Sequence, residues 1–175
     1  LLNKKNEREM NIRKRAMMQV EFNEKAVQSL HPITQKSVKI AYEHGHSEVK
    51  PVHLWHILLE SEDFAHFITR SEIDFKKLRE KVNNFIDKEP TSFFSAEDGS
   101  EIPMPKLTEQ VVEIDKFARE YAAENGRQST NYDILNALFT PEGNKADRTS
   151  KFAVSLGMKP EIVEAYTSRG LIEYM

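Results

Sequence analysis

The sequence predicts an all-α protein, in which two pseudo-twofold repeats of about four helices each pack as one helical domain. Apolar residues recur at steps of three and four, so that each set lines one face of a helix. One such set is Leu107, Val111, Ile114, Ala118 and Tyr121. No segment alternates apolar and polar residues for long, and glycines and prolines fall between the periodic runs.

The two halves of the chain also resemble each other, which is typical of a duplication. Placing Gly45 on Gly126 superposes Ile33 on Ile114, at a shift of 81 residues. After the glycines the shift is 80, and near the end it is 85. The later matches are residues 53–59 (HLWHILL) with 133–139 (DILNALF), and residues 72–78 with 157–163. The changing shift indicates short insertions in loops.

Each repeat is predicted to begin with a long helix and a Gly-centred turn. A short apolar helix and a third helix follow, and the last helix begins near Asp74 in the first repeat and near Pro160 in the second. In the first repeat the apolar face of that last helix is formed by Leu78, Val82, Phe85 and Ile86. The seam, meaning the contact between the two repeats, is a natural place for a peptide-binding groove.

Composition divides the chain into four segments. Residues 1–19 form a basic leader, with six basic and two acidic side chains among the first 15 residues. We expect a solvated arm or a frayed helix there, and an arm for an anionic partner is the alternative. Residues 20–88 and 107–175 are the two repeats, and residues 89–106 are an acidic, Pro-containing linker. Because the chain begins with Leu1 and not with Met, we expect it to lie within a longer product.

Length and composition exclude several classes of protein. The chain has 175 residues, of which 39% are hydrophobic and 30% charged, as in an ordinary globular protein. It has no cysteine, which excludes disulfides and thiolate chemistry and favours a reducing, cytoplasmic setting. A net charge of -3 does not favour a nucleic-acid partner, and no apolar run is long enough for a membrane span.

Motifs for catalysis are absent from the sequence. It contains no Gly-Lys dipeptide of a phosphate-binding loop, no Gly-x-Ser-x-Gly elbow and no His-Glu-x-x-His. His53, His56 and Glu60 fall within an arc of about 60° on one helix, a spacing that suits zinc. The same three residues are also what the water-facing stripe of that apolar helix would contain, and we favour this interpretation. We therefore expect neither a metal, nor a cofactor, nor catalysis.

Two groups of residues are candidates for partner binding. Acidic side chains near the end of the short apolar helix are suited to electrostatic steering, and no neighbouring base supports a role for them as general acids. They are Glu60, Glu62 and Asp63. Apolar linker residues either pack back over the helices or form a partner-facing patch. They are Phe93, Phe94, Ile102 and Met104.

Residues 45–59 (GHSEVKPVHLWHILL) resemble the GHxxVxxEHLLLALL motif of the Clp N-terminal domain, the double-repeat module that precedes the ATPase rings of Clp unfoldases. Residues 125–139 (NGRQSTNYDILNALF) resemble a second copy, and residues 156–163 (LGMKPEIV) resemble the LGVDPEAL element of the same family. The acidic linker and the Asn-Gly-Arg turn are most similar to the ClpA branch. In both repeats the Glu of the motif is replaced, by Val52 and by Tyr132, so phosphoarginine recognition is not expected.

The resemblance implies a domain that docks substrates or adaptors for an ATP-dependent unfoldase and its protease. Implied partners are a ClpS-like adaptor, an unfolded substrate and the protein's own ATPase ring. The alternative is a stand-alone accessory protein that binds a Clp ring or a component of a secretion sheath. A phosphate-binding loop encoded soon after Met175 would favour the first, and a stop codon the second.

Overall fold

The computed structural model describes residues 29–62, 64, 73–91, 104–139, 147–159, 161 and 163. The predicted all-α fold with two helical repeats is confirmed. In the first repeat the described elements are α1 (Pro32–Glu43), β1 (Glu48–Val49), α2 (Pro51–Leu59) and α3 (Phe75–Asp87). Strand β2 (Lys106–Leu107) spans the boundary between the predicted linker and the second repeat, which continues with α4 (Glu109–Glu124), α5 (Asn131–Ala137) and α6 (Arg148–Ser155). None of the helices in these ranges is long and apolar enough to cross a membrane.

Local sequence explains where the helices begin. Pro32 and Pro51 are the first residues of α1 and α2, where proline fits because that N–H has no partner within the helix. The side chains of Asp74, Thr108 and Asp147 cap α3, α4 and α6 by accepting hydrogen bonds from backbone N–H groups of the first turn. The predicted start of α3 near Asp74 is thus confirmed, and Pro160 lies outside the described residues.

Glycines end the two long helices in the same way. Gly45 follows α1 with φ 75°, and Gly126 follows α4 with φ 64°. The residue after each glycine donates its backbone N–H across the turn, from His46 to the carbonyl of Ala41 and from Arg127 to that of Ala122. These are the same helix-ending motif, and its left-handed residue favours glycine. The match between Gly45 and Gly126 in the sequence is therefore also a match in structure.

Two short strands were not predicted. Glu48 pairs with Lys106 and Val49 with Leu107 in a parallel register, and the Lys106 N–H donates to the carbonyl of Ser47 at 3.0 Å. Leu107, which the periodicity assigned to a helix, therefore lies in β2, and α4 begins only at Glu109. This part of the prediction was wrong because a strand of two residues is too short to show the alternation of apolar and polar residues by which strands are recognised in a sequence. The strand pairing therefore joins the residues that precede α4 to the first repeat.

The hydrophobic core is continuous through both repeats. α1 packs on α2 and α4 packs on α5, while α2 also contacts α3, α5 and α6. Positions that the repeat alignment equates are buried in both copies. Examples are Ile33 with Ile114, Ala41 with Ala122, Leu58 with Leu138, Ile73 with Met158, and Leu78 with Val163. Because α2 is enclosed by helices of both repeats, neither repeat completes its core alone.

Candidate functional site

The seam around α2 is filled by aromatic side chains. Trp55 is fully buried, and its ring meets Phe64 and Phe139 edge to face, with centroid distances of 6.2 and 5.8 Å. Its indole Nε1 donates to Ser150 Oγ at 3.4 Å, across the seam. A partner therefore has no entry at Trp55, and the predicted seam groove does not pass through this point.

A second cross-seam contact joins the start of α1 to the second repeat. The backbone N–H of His31 donates to Asp115 Oδ1 at 2.9 Å, and Arg119 Nε donates to Oδ2 of the same carboxylate at 2.8 Å. His31 Nδ1 accepts the N–H of Ile33, so Nε2 carries the ring proton and donates to the carbonyl of Thr130 at 3.1 Å. Burial lowers the pKa of His31, in keeping with a neutral ring.

A third contact is ionic and lies at the beginning of the predicted linker. The Glu89 carboxylate is nearly buried, and it contacts Lys50 Nζ at 2.8 Å through Oε2. Arg148 Nη2 in α6 donates to Glu89 Oε1 at 2.9 Å. One carboxylate therefore connects a cation of the first repeat with a cation of the second, which is the condition under which a buried charge is tolerated.

The turn after each long helix is tied to the short helix by a polar pair. In the first repeat His46 Nδ1 lies 2.9 Å from His53 Nε2. In the second, Arg127 forms two hydrogen bonds of 2.7 Å to Asp133. The repeat alignment equates His46 with Arg127 and His53 with Asp133. The two repeats thus use the same positions with different chemistry.

Hydrogen bonds determine the state of His53. Its Nδ1 accepts the backbone N–H of Lys50 at 2.9 Å, so the proton of the neutral ring is on Nε2, which donates to His46. Burial, followed by the neighbouring His46, lowers the pKa of His53 to about 3. Burial also lowers the pKa of His46, with a further contribution from His44. The pair is therefore neutral at physiological pH.

This arrangement corrects the expectation for the three residues considered for zinc. His53 is fully buried, so it does not belong to a water-facing stripe, because its ring turns back to accept the hydrogen bond at the start of α2. His56 is half-buried and lies 3.3 Å from the exposed Glu60 carboxylate. Among the described residues no three His, Asp or Glu side chains are grouped so that they could hold a metal.

The candidates for partner binding are placed as follows. Glu60 and Glu62 are exposed just after α2. Met104 is half-buried and packs against the core, which agrees with linker residues packing back over the helices. The other candidates lie outside the described residues; they are Asp63, Phe93, Phe94 and Ile102.

One group of residues was missed by sequence reasoning. Lys81 and Phe85 on α3 and Arg148 and Phe152 on α6 meet where these helices pack together. Each pair has the spacing i, i+4, which places a cation and an aromatic ring on one helix face. The i, i+4 spacing could have identified each pair in the sequence. Nothing in the sequence, however, indicated that these faces of α3 and α6 contact each other.

The family model of the Clp repeat (R) N-terminal domain matches residues 21–150. No curated protein matches the chain. Several solved structures share the fold at low sequence identity, among them the following three.

The N-terminal domain of Hsp104 from Candida albicans is 15% identical, with a TM-score of 0.61 over 77% of this chain and 83% of that one. The N-terminal domain of the ClpV1 ATPase from the E. coli EAEC Sci1 type VI secretion system is 16% identical, with a TM-score of 0.59 over 80% of this chain and 84% of that one. A chain from work on the ATPase ClpV, the TssB–TssC sheath and the accessory HsiE protein is 18% identical, with a TM-score of 0.58 over 82% and 86%.

Proposed function

The chain belongs to the Clp repeat N-terminal domain family, and from that membership we propose that it is a non-catalytic docking domain, which presents protein substrates or adaptors to a Clp-type unfoldase in the cytoplasm. The observation that carries the proposal is the double repeat closed into one body by Trp55, His31 and Glu89. Such a body leaves its outer surfaces available to a partner.

The state of the buried polar groups supports binding in preference to catalysis. Six buried ionisable side chains have hydrogen-bond or ionic partners within the protein. They are those of His31, His46, His53, Glu89, Asp115 and Asp133. A catalytic acid or base must instead face its substrate. Among the described residues, these groups have partners within the fold, and this favours a structural role for them.

The proposal is tested by titration calorimetry with two probes, a ClpS-type adaptor and a permanently unfolded polypeptide such as reduced, carboxymethylated α-lactalbumin. Binding with dissociation constants of tens of micromolar or tighter is expected. Native α-lactalbumin is the folded control for the second probe, and α-lactalbumin that is reduced and blocked with neutral carboxamidomethyl groups controls for the charge added by carboxymethylation. If neither probe binds, the docking function is wrong for these partners.

The acidic residues after α2 offer a more local test. A Glu60→Gln and Glu62→Gln double variant keeps the size of both exposed side chains and removes their charges. If these carboxylates steer an adaptor, the association rate falls and its salt dependence weakens. The Glu109→Gln and Glu113→Gln double variant, in which two exposed carboxylates of α4 are changed, is the control.

A second candidate function is that of an accessory protein bound to a Clp ring or to a secretion sheath. It is favoured by the similarity to the ClpV1 N-terminal domain and to a chain from work on ClpV, a sheath and an accessory protein. Cosedimentation with purified TssB–TssC sheath and with a Clp ring that lacks its own N-terminal domains distinguishes the two functions. Sedimentation with the sheath alone would favour the accessory role, as would a stop codon directly after Met175.

A further inference from the structure

The contact between α3 and α6 forms a strip in which cations and aromatic rings alternate. Lys81 Nζ lies 5.3 Å from the ring centroid of Phe85 and 5.4 Å from that of Phe152. Arg148 Cζ lies 4.1 Å from the centroid of Phe85. We call these four residues the cation–aromatic strip. It crosses the seam, because α3 belongs to the first repeat and α6 to the second.

The strip lies on the most basic helices of the described structure. Together α3 and α6 carry six basic residues and two acidic ones, although the whole chain has a net charge of -3. The basic residues are Lys76, Lys77, Arg79, Lys81, Arg148 and Lys151, and the acidic ones are Glu80 and Asp87. These two helices therefore have a net positive charge, although their caps Asp74 and Asp147 and the ion-paired Glu89 lie beside them, and this excess of basic side chains favours an anionic partner.

Both cations of the strip have capacity for further acceptors. No carboxylate of the described residues forms an ion pair with Lys81, which is half-buried against the two rings. The Arg148 side chain is 53% exposed, and the acceptor that the described residues supply to it is Glu89 at its Nη2. A guanidinium has five N–H donors, so Arg148 can bind a second carboxylate while it remains paired with Glu89.

Stacking also prepares Arg148 for binding. Contact with the Phe85 ring restricts the plane of the guanidinium, so less side-chain entropy is lost when an acceptor binds. The partly exposed rings of Phe85 and Phe152 lie beside the cations and offer apolar surface to aliphatic groups. Charge and apolar area are thus combined on one surface, as at energetically important interface positions.

We propose that the cation–aromatic strip is a docking surface for an acidic polypeptide segment, whose carboxylates bind Lys81 and Arg148 while its apolar groups cover the edges of Phe85 and Phe152. A single-stranded nucleic acid fits less well. Its bases need free aromatic faces for stacking, and here each ring already carries a cation. The inference rests on the proposed docking function and adds to it a surface and the chemistry of the partner.

The experiment measures fluorescence anisotropy with a fluorescein-labelled peptide of repeating Glu-Ser-Ala units. The same peptide with Gln in place of every Glu tests whether charge is required. The protein variants are Lys81→Glu, and Lys116→Glu as the matched control, because Lys116 is exposed on α4 away from the strip. A Lys81→Gln variant, which removes the charge without reversing it, serves if Lys81→Glu does not fold.

We expect the acidic peptide to bind at least about tenfold more tightly than the Gln peptide, and Lys81→Glu, or Lys81→Gln in its place, to remove most of that difference. Lys116→Glu should change the affinity by no more than about twofold. Binding should weaken as NaCl rises from about 0.05 to 0.5 M.

Three results would overturn the inference. They are equal affinity for the Glu and Gln peptides, equal losses in the strip variant and the control variant, and tighter, strip-dependent binding of oligouridylate. If one of these occurs while carboxymethylated α-lactalbumin still binds, the inference fails and the proposed docking function stands. If no probe binds, both fail.

Discussion

His46 and His53 form a buried hydrogen bond of 2.9 Å, at the positions where the second repeat has the ion pair of Arg127 and Asp133. In both repeats the second residue of the pair accepts the backbone N–H that precedes the short helix, from Lys50 in one case and Thr130 in the other. One structural task, holding a glycine turn against the start of a short helix, is thus performed once by neutral rings and once by charges.

The neutral histidines predict that the protein is destabilised by acid. The pKa of His53 is lowered to about 3 by burial and by His46, and burial also lowers the pKa values of His46 and His31. Below the unfolded value of about 6.5 the unfolded chain therefore binds protons that the folded protein does not bind, and stability falls as the pH falls. The other ionisable groups that act on this pair are His44, Lys50, His56, Asp87 and Glu89.

From His53 alone, we expect the free energy of unfolding to be about 2 kcal/mol lower at pH 5 than at pH 7. Urea denaturation followed by circular dichroism between about pH 5 and pH 8 measures this change. Stability should be nearly constant above about pH 7, where His53 is neutral in both states. A stability that does not change from pH 7 to pH 5 would show that these rings are protonated in the folded protein.

The pseudo-symmetry predicts that the ionic pair can be moved into the first repeat. His53→Asp alone buries a carboxylate without a cation, and His46→Arg alone places a guanidinium against a neutral ring. The double variant restores a pair, so it should be more stable than the sum of the single changes predicts, by about 2 kcal/mol. A double-mutant cycle from urea denaturation gives this coupling energy, and strict additivity would contradict the structural equivalence. The double variant should also lose most of the acid sensitivity between pH 7 and pH 5.

Removal of the cation in the second repeat is expected to be costly. Asp133 is fully buried, and Arg127→Met leaves its charge with the Thr130 N–H but without a guanidinium. We expect a loss of about 3 kcal/mol, measured by urea denaturation. Lys116→Met is the control, because Lys116 is exposed and its ion pair with Glu120 spans 3.9 Å, so it should change stability by less than about 0.5 kcal/mol. If Arg127→Met and Lys116→Met lower the free energy of unfolding by similar amounts, the buried Asp133 carboxylate does not depend on Arg127 for its stability.

The helix-ending turn predicts different results for two substitutions of one glycine. Gly126 has φ 64° and open space around the position of a Cβ atom, so a side chain there meets backbone strain but no clash. Gly126→Ala should lower stability by about 1 kcal/mol, and Gly126→Asn by less, because asparagine tolerates this conformation. Thermal unfolding of the two variants provides the comparison. A larger loss for asparagine than for alanine would mean that space and not backbone strain controls the position.

Much of the fold was predictable because its signals are local. Periodic apolar residues indicated α3 and most of α4, Asp74 indicated a helix start, and Gly45 and Gly126 indicated equivalent turns. Strand β2 was missed because it exists only through its pairing with β1. The burial of His53 was missed because helical periodicity shows only which side of a helix a residue lies on. It does not show that α2 is enclosed by helices of both repeats, so that this side is also buried.

The candidate site was less predictable than the fold. Glu60 and Glu62 are exposed, as a partner-binding role requires, but nothing in the sequence related them to other surfaces. The cation–aromatic strip combines two pairs at the spacing i, i+4, Lys81 with Phe85 and Arg148 with Phe152. Neither pair by itself indicates a binding surface. The two pairs form one surface only because α3 and α6 pack against each other in the folded protein.

The sequence by itself determined the duplication, the glycine turns, the helix start at Asp74 and the family, because each of these depends on residues close together in the chain or on motifs repeated along it. The tertiary structure decided which polar groups are buried and which partners they have. Trp55 with Ser150, His31 with Thr130 and Glu89 with Arg148 are separated by 95, 99 and 59 residues. Such contacts depend on how the two repeats pack against each other, and periodicity within one helix contains no information about that packing.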